Sequence, residues 1–361
     1  MVSITAGELL ARLDDGDAVV VLDVREPDEF ESWAIPGSVN VPLGGLERRL
    51  GEVPRDATVV TVCAVGTRAA SASEILARAG VESSVLDGGM GGWSRVYDDA
   101  VLDAGAATIV QVRRRGKGCL SYVVGAGGAA AVIDPSSDVD EYVLRADARG
   151  WQIAHVFDTH LHADHVSGAR ALAAATGAQL VLNPADRFGF DFSALTDGMR
   201  VPIAQGVDLT VSVLSTPGHT KGSTVFLLGE LAAFTGDTLF IESVGRPDLA
   251  DQAEAFAHSL YRSLHDKLLG LPDSTMVLPA HFSSVVAVDR GIVGAPLGDL
   301  KGRLWQLTAD EDTFVAWAAG SVTARPPHYE TIVAANLSGA PLSLEDRSGL
   351  EAGPNRCAVA G

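Results

Sequence analysis

Cysteine is scarce: the 361 residues hold three, Cys63, Cys119 and Cys357, odd in number and far apart. That count and spacing argue against a disulfide framework and point to a reducing cytoplasm. Basic residues are outnumbered, 27 Lys and Arg against 46 Asp and Glu, for a net charge of −19. Such a surface is a poor partner for nucleic acid or an anionic membrane. No apolar run approaches the roughly 20 residues of a membrane span, and the longest candidate, Val123 to Ile133, is broken by three glycines. Met1-Val2-Ser3-Ile4 has no basic region leading into an apolar stretch, so no secretory signal is expected. Aromatics are sparse at 6%, apolar residues reach 47%, and the length suits two or three globular domains.

What the chain has is a concentration of metal-ligand residue types. Thr159-His160-Leu161-His162-Ala163-Asp164-His165 directly follows the apolar run Ile153 to Phe157. A carboxylate and several ring nitrogens are costly to bury unless a cation collects them. Three further stretches place ligand types beside small residues: Thr216-Pro217-Gly218-His219, Thr235-Gly236-Asp237 and Pro279-Ala280-His281. Small residues at such junctions let backbone approach closely. The set of imidazoles and carboxylates suits Fe, Zn or Mn.

Residues 1 to about 100 read as a small α/β domain. Strands are expected at 17–23, 39–43, 58–62 and 82–86, with a helix at 67–79. The stretch from Tyr97 to Ala107 shows no periodicity and reads as a domain boundary. Residues 101–337 then form a second domain. Short strands (108–112, 120–124, 129–133) end at Asp134-Pro135, and βα units follow. These place a helix at 139–149, a helix at 166–176, a strand from Val207 to Leu214, and one long helix from Ala253 to Leu269. Strands followed by βα units, twice over, suggest mixed sheets with helices outside. A tail at 338–361 has no assigned role. Within it Cys357 is expected to be exposed, whereas Cys119 reads as core.

Cys63 ends a buried strand, and Ala64, Val65, Gly66, Thr67 and Arg68 lead into a helix. Backbone N–H groups of such a loop converge on one anion. They would cradle a persulfide on Cys63, with Arg68 closing the cradle. Val21-Leu22-Asp23-Val24-Arg25-Glu26, Ile35-Pro36-Gly37, the C-x-x-G-x-R loop and Leu86-Asp87-Gly88-Gly89-Met90 together resemble a rhodanese domain. The resemblance implies sulfane-sulfur transfer through Cys63.

The H-x-H-x-D-H motif and its three companions resemble the metallo-β-lactamase superfamily, which implies an αββα sandwich. Two branches fit. Persulfide dioxygenases bind one Fe(II) per chain, which carries over to His160, His219 and Asp237. A 2-His-1-carboxylate triad leaves positions open for O2 and substrate. His162, Asp164, His165 and His281 then support the ligands, or hold a second metal. Gly245-Arg246-Pro247-Asp248 matches the dioxygenase pattern, with Arg246 and Asp248 as supporting residues. Phe282-Ser283 and Lys221 depart from it. Glyoxalase II-like thioesterases would instead use all seven ligands for two zinc ions. The implied partners are a thiol persulfide, O2, and thiosulfate or sulfite, with a homo-oligomer left open.

Overall fold

Short β-branched runs bounded by turn residues build the N-terminal sheet. Its strands are β1 (Val2–Ile4), β2 (Val19–Asp23), β3 (Val39–Asn40), β4 (Thr58–Val62) and β5 (Ser83–Leu86), in the order β1-β5-β4-β2-β3. All four pairings are parallel. Helices α1 (Ala6–Asp14), α2 (Pro27–Ser32), α3 (Thr67–Arg78) and α4 (Gly89–Trp93) connect them. Both faces of the sheet are covered. Leu22 and Val59 pack with Ala69, Ala72 and Leu76 on one face, and Val21, Val60 and Val62 with Leu9 and Trp93 on the other. Two-sided burial is why these strands read as continuous rather than alternating runs.

This computed structural model describes residues 2–203, 210–248, 252–283, 288, 291–321, 325–353 and 355–358. The chain divides into two units. One holds Met1–Asp98, Arg114–Lys117 and Glu351–Pro354; the other holds Asp99–Arg113, Gly118–Leu350 and Asn355–Gly361.

In the second unit a seven-stranded sheet contains β6 (Tyr97–Asp103), β7 (Thr108–Arg114), β8 (Cys119–Ala126), β9 (Ala129–Ile133), β10 (Gln152–Phe157), β11 (Gln179–Leu182) and β12 (Ser193–Ala194). A six-stranded sheet contains β13 (Arg200–Pro202), β14 (Thr210–Ser215), β15 (Thr224–Leu228), β16 (Ala232–Gly236), β17 (Met276–Pro279) and β18 (Ala295–Pro296). Both mix parallel and antiparallel pairs. Ile109, Tyr122, Ile133 and Phe157 from one sheet meet Val211, Phe226, Phe234 and Leu278 from the other in a shared core. Helices α5 (Asp140–Asp147) and α6 (Ala169–Thr176) pack on β10. The outer side of the six-stranded sheet carries α7 (Ala253–Arg262), α8 (Leu297–Arg303) and α9 (Glu311–Gly320). These layers make the αββα sandwich. Two more helices, α10 (Tyr329–Ser338) and α11 (Leu344–Leu350), follow.

Two local details differ from expectation. The stretch 97–107, read as a boundary, does hold the division between the units, at Asp98 and Asp99, and it also contains β6, an edge strand whose side chains are mostly solvent-facing and so leave no apolar pattern. The expected long helix at 253–269 is α7, then a π-helical turn at Ser263–Lys267 and a 3-10 turn at Leu268–Gly270. Ser263 Oγ there donates to Pro217 O at 2.7 Å, tying the turn to the Pro-Gly-His loop. Of the strand expected at 207–214, the part from Thr210 is present in β14, and residues 207–209 lie outside the described residues.

The tail is also built in. Glu351 is buried and pairs with Arg114 at 2.5 Å within the first unit. Cys357, expected at the surface, is 1% exposed because its segment runs beside residues 245–246: Arg246 N donates to Cys357 O at 3.0 Å. Among the described residues no helix is long and apolar enough to cross a membrane.

Candidate metal centre and cysteine loop

Each candidate ligand follows the C-terminal end of a strand: His160 to His165 after β10, His219 after β14, Asp237 after β16 and His281 after β17. The sandwich therefore delivers them to one edge. Glycines permit the crowding there. A Cβ on Gly245 would lie 1.8 Å from Asp237 O, and one on Gly236 2.4 Å from Thr159 Oγ1.

His160, His219 and Asp237 converge with ligand atoms within 4.8 Å of one another. His160 Nε2 and His219 Nε2 lie 3.5 and 3.4 Å from Asp237 Oδ2. Atoms each about 2.1 Å from one ion at tetrahedral or octahedral angles are separated by roughly 3.0–3.4 Å. Among the described residues these three atoms have no hydrogen-bond partner, although all are buried.

The surroundings fix the tautomers. His219 Nδ1 lies 2.9 Å from Arg246 O, which only accepts, so Nδ1 carries the proton and Nε2 the lone pair. Thr159 Oγ1 donates to Asp134 Oδ2 at 2.9 Å and receives His160 Nδ1–H at 2.8 Å, which again frees Nε2. Burial holds both rings below their ordinary pKa, His219 down to about 4, so both are neutral at pH 7. A buried carboxylate and two neutral imidazoles with free lone pairs fit a divalent transition metal.

The other four residues are arranged differently. His281 Nδ1 lies 2.7 Å from Asp237 Oδ1, and its Nε2 lies 3.0 Å from Asp164 Oδ2. Both ring nitrogens face carboxylates, leaving that ring no free lone pair. Asp164 Oδ1 meets His165 Nδ1 at 3.0 Å. Burial opposes charge on His281, but Asp237 and Asp164 outweigh it and raise its pKa well above the ordinary value. His162 Nε2 lies 3.2 Å from Asp134 Oδ1. His162 Nδ1 and His165 Nε2 are unpartnered among the described residues.

Residue reading missed several contributors. Asp134, at φ +53° after β9, serves both Thr159 and His162. Asn336 on α10 donates to His162 O and His165 O, both at 2.9 Å, and accepts from Ser167 N at 2.9 Å. Cys119, read as core, is buried and also lies beside the site, its Sγ 3.5 Å from Asp164 Oδ2. Cys357 groups with Asp237 and His281. Only Asp134, before a proline at a strand end, left a visible signal. Arg246 Nε and Nη2 each bond Asp248 at 2.7 Å, so this buried pair fixes the backbone whose carbonyl orients His219.

In the first unit Cys63 stands between β4 and α3, 1% exposed. Gly66 N and Ala69 N donate to its Sγ at 3.2 and 3.4 Å. Gly66 has φ +104°, the turn that aims its N–H inward. Ala69 is one residue beyond the expected loop. Ala64 and Val65 join Cys63 to Gly66 in the chain, with Val65 74% exposed, and Thr67 opens α3. Arg68, expected to close the cradle, forms two bonds to Glu29 on α2, at 2.7 and 2.8 Å, with Cys63 also near its guanidinium. Met90 N donates to Cys63 O at 2.8 Å, and a Cβ on Gly89 would lie 2.2 Å from that oxygen.

Residues 5–96 match the rhodanese-like domain, and residues 114–281 match the metallo-beta-lactamase superfamily. The chain is 42% identical over 159 residues to a hydroxyacylglutathione hydrolase of Methylococcus capsulatus, covering 43% of this chain and 57% of that one. It thus spans little more than half the length of that relative. It is 34% identical over 202 residues to an uncharacterized protein of Mycobacterium tuberculosis, covering 46% of this chain and 87% of the other. A metallo-beta-lactamase from Staphylococcus aureus superposes with TM-score 0.61 at 27% identity, over 66% of this chain and 74% of that one. ETHE1 from Myxococcus xanthus gives 0.56 at 27% identity, over 68% and 99%.

Proposed function

The chain carries a rhodanese-like domain and, after it, a metallo-beta-lactamase domain, and from that premise we propose a two-part enzyme of sulfane-sulfur chemistry. The second domain oxidises a low-molecular-weight thiol persulfide to sulfite: RSSH, O2 and water give RSH, sulfite and protons. The first passes sulfane sulfur through a Cys63 persulfide. Both reactions are set in the cytoplasm.

The carrying observation is the contrast in lone pairs. His160 Nε2, His219 Nε2 and Asp237 Oδ2 are free and mutually close, whereas His281 and Asp164 are engaged with each other. That arrangement favours one metal over two. Fe(II) held by the triad would supply the O2 chemistry that oxidising a persulfide sulfur requires. The chain's own residues do the positioning. Asp134 acts through Thr159 to keep the proton on His160 Nδ1, and Arg246 O keeps it on His219 Nδ1. His281 holds protons at Nδ1 and Nε2 between two carboxylates, which balances their charge and keeps Asp237 Oδ2 toward the triad. Burial of all these groups excludes bulk water. The similarity to ETHE1 supports this branch.

A second reading has its own support. His162 Nδ1 and His165 Nε2 are unpartnered, and these atoms would join a two-zinc centre hydrolysing a thioester. The similarity to hydroxyacylglutathione hydrolases points the same way. Metal analysis and oxygen uptake separate the two. The dioxygenase reading expects about one iron per chain and O2 uptake that depends on a thiol persulfide. About two zincs per chain, with no persulfide-dependent uptake from iron-replete protein, would replace it with the hydrolase.

A further inference from the structure

Arg68 is the one basic residue between Cys63 and Ala77. Its guanidinium is spent on Glu29 in a bidentate pair, with both side chains 34% exposed. Glu26 lies near the same guanidinium, and residues 26–31 also carry Asp28 and Glu31. None of the other loop side chains is charged: Ala64 is half-buried, and Val65 and Thr67 are exposed. The donors at the sulfur are two backbone N–H groups. They suit the single negative charge of a cysteine persulfide. A second, doubly charged anion arriving at this mouth meets an acidic helix and a guanidinium already neutralised.

We propose that Cys63 exchanges sulfane sulfur with organic persulfides and thiols rather than with the inorganic dianions thiosulfate and sulfite, and that Glu29 sets this preference by occupying Arg68. The inference rests on the sulfurtransferase reading of Cys63 and narrows its substrate class. In the loading step the Cys63 thiolate attacks the outer sulfur of RSSH. The Cys63–S bond forms, the RS–S bond breaks, and RS⁻ leaves with the electron pair. The proton of RSSH passes to the departing thiolate, so Cys63 carries S–S⁻ and RSH is released. With thiosulfate the same attack would expel sulfite as a dianion, the species this mouth repels.

The test is single-turnover loading of full-length protein, followed by intact mass, with cysteamine persulfide and thiosulfate as donors at several ionic strengths. Wild type is expected to load from the organic persulfide at least about tenfold faster per unit concentration. Glu29→Gln removes one negative charge and frees Arg68. It should raise the thiosulfate-to-persulfide ratio by about tenfold, the size Coulomb's law gives for one charge at about 6 Å from a dianion in a water-like medium. It should also make thiosulfate loading salt-sensitive. Val65→Lys adds a cation at an exposed position without touching the pair, and should move the ratio the same way even if Glu29→Gln loosens the loop. Equal loading of wild type from both donors, or an unmoved ratio in both variants, would overturn the inference and leave the transfer activity standing. Absence of loading from both donors would overturn the sulfurtransferase reading and the inference together.

Discussion

Asn336 shows how much one side chain can carry. It is 7% exposed, and its amide holds three backbone groups of the metal-binding loop: the His162 and His165 carbonyls and the Ser167 N–H. Asn336→Ala leaves these buried groups without that partner, at a cost of about 2–4 kcal/mol in folding stability. Asn336→Asp turns an acceptor toward two carbonyls and should cost more. Loss of stability alone would be a structural effect. The expected signature of positioning is weaker metal retention under chelator at temperatures where the variant remains folded, measured as metal content after dialysis. Full retention in the folded variant would refute it. The ligands were legible in the sequence because His, Asp and small residues cluster within a few positions. Asn336 was not, since it reaches the loop from a helix some 170 residues later, and a single Asn on a helix carries no pattern. The Glu29–Arg68 pair was hidden for the same reason: nothing local announces that a loop arginine is already taken.

The loops at the strand ends act as a coupled charged unit, and this has a pH consequence. Burial disfavours a charged His165, yet Asp164 and the neighbouring hydrogen bonds outweigh burial and hold its pKa up to about 10, against 6.5 for an ordinary histidine. A folded-state pKa above the unfolded one stabilises fully below the unfolded value and loses its contribution as pH rises through the folded value. Metal-free protein should therefore lose stability between about pH 6.5 and 10, and the raised His281 acts in the same direction. Urea midpoints across that range, in the presence of chelator, give the measurement. A flat midpoint would rule out charged imidazoles at these two positions. The same protons oppose a cation between Asp164 and His281, so a second metal should enter more readily at alkaline pH. At this scale the sequence was readable wherever side-chain pattern follows burial, as in the two-sided β2 and β4. It was unreadable where backbone pairing acts alone, as in the edge strand β6, or where a contact with another loop reshapes a helix, as at Ser263–Lys267.

Across the whole chain, each unit has its own buried core. Leu22, Val59, Leu76 and their neighbours serve the first, and the Tyr122–Phe157–Phe226–Phe234 layer serves the second. Separate cores predict separable lesions. Cys63→Ser changes one buried atom at the end of β4 and leaves the N–H donors of Gly66 and Ala69 in place. It should abolish persulfide loading and sulfur transfer while sparing persulfide-dependent oxygen uptake. His219→Ala removes one ligand atom of the His160–His219–Asp237 triad and opens a small cavity beside Gly245. On the proposed function it should abolish persulfide-dependent oxygen uptake and lower metal content while leaving Cys63 loading near wild type. Each variant carries its own control, because the activity it spares reports that the protein is folded. On the proposed function, tethering would also raise the effective concentration of a labile persulfide that one domain releases and the other consumes. Mixing the two single variants restores both activities in the tube but not that tethering. Sulfite formation that starts from a persulfide loaded on Cys63 should then fall below the wild-type rate and recover as protein concentration rises. A rate independent of protein concentration in the mixture would mean that persulfide is not handed between the two sites.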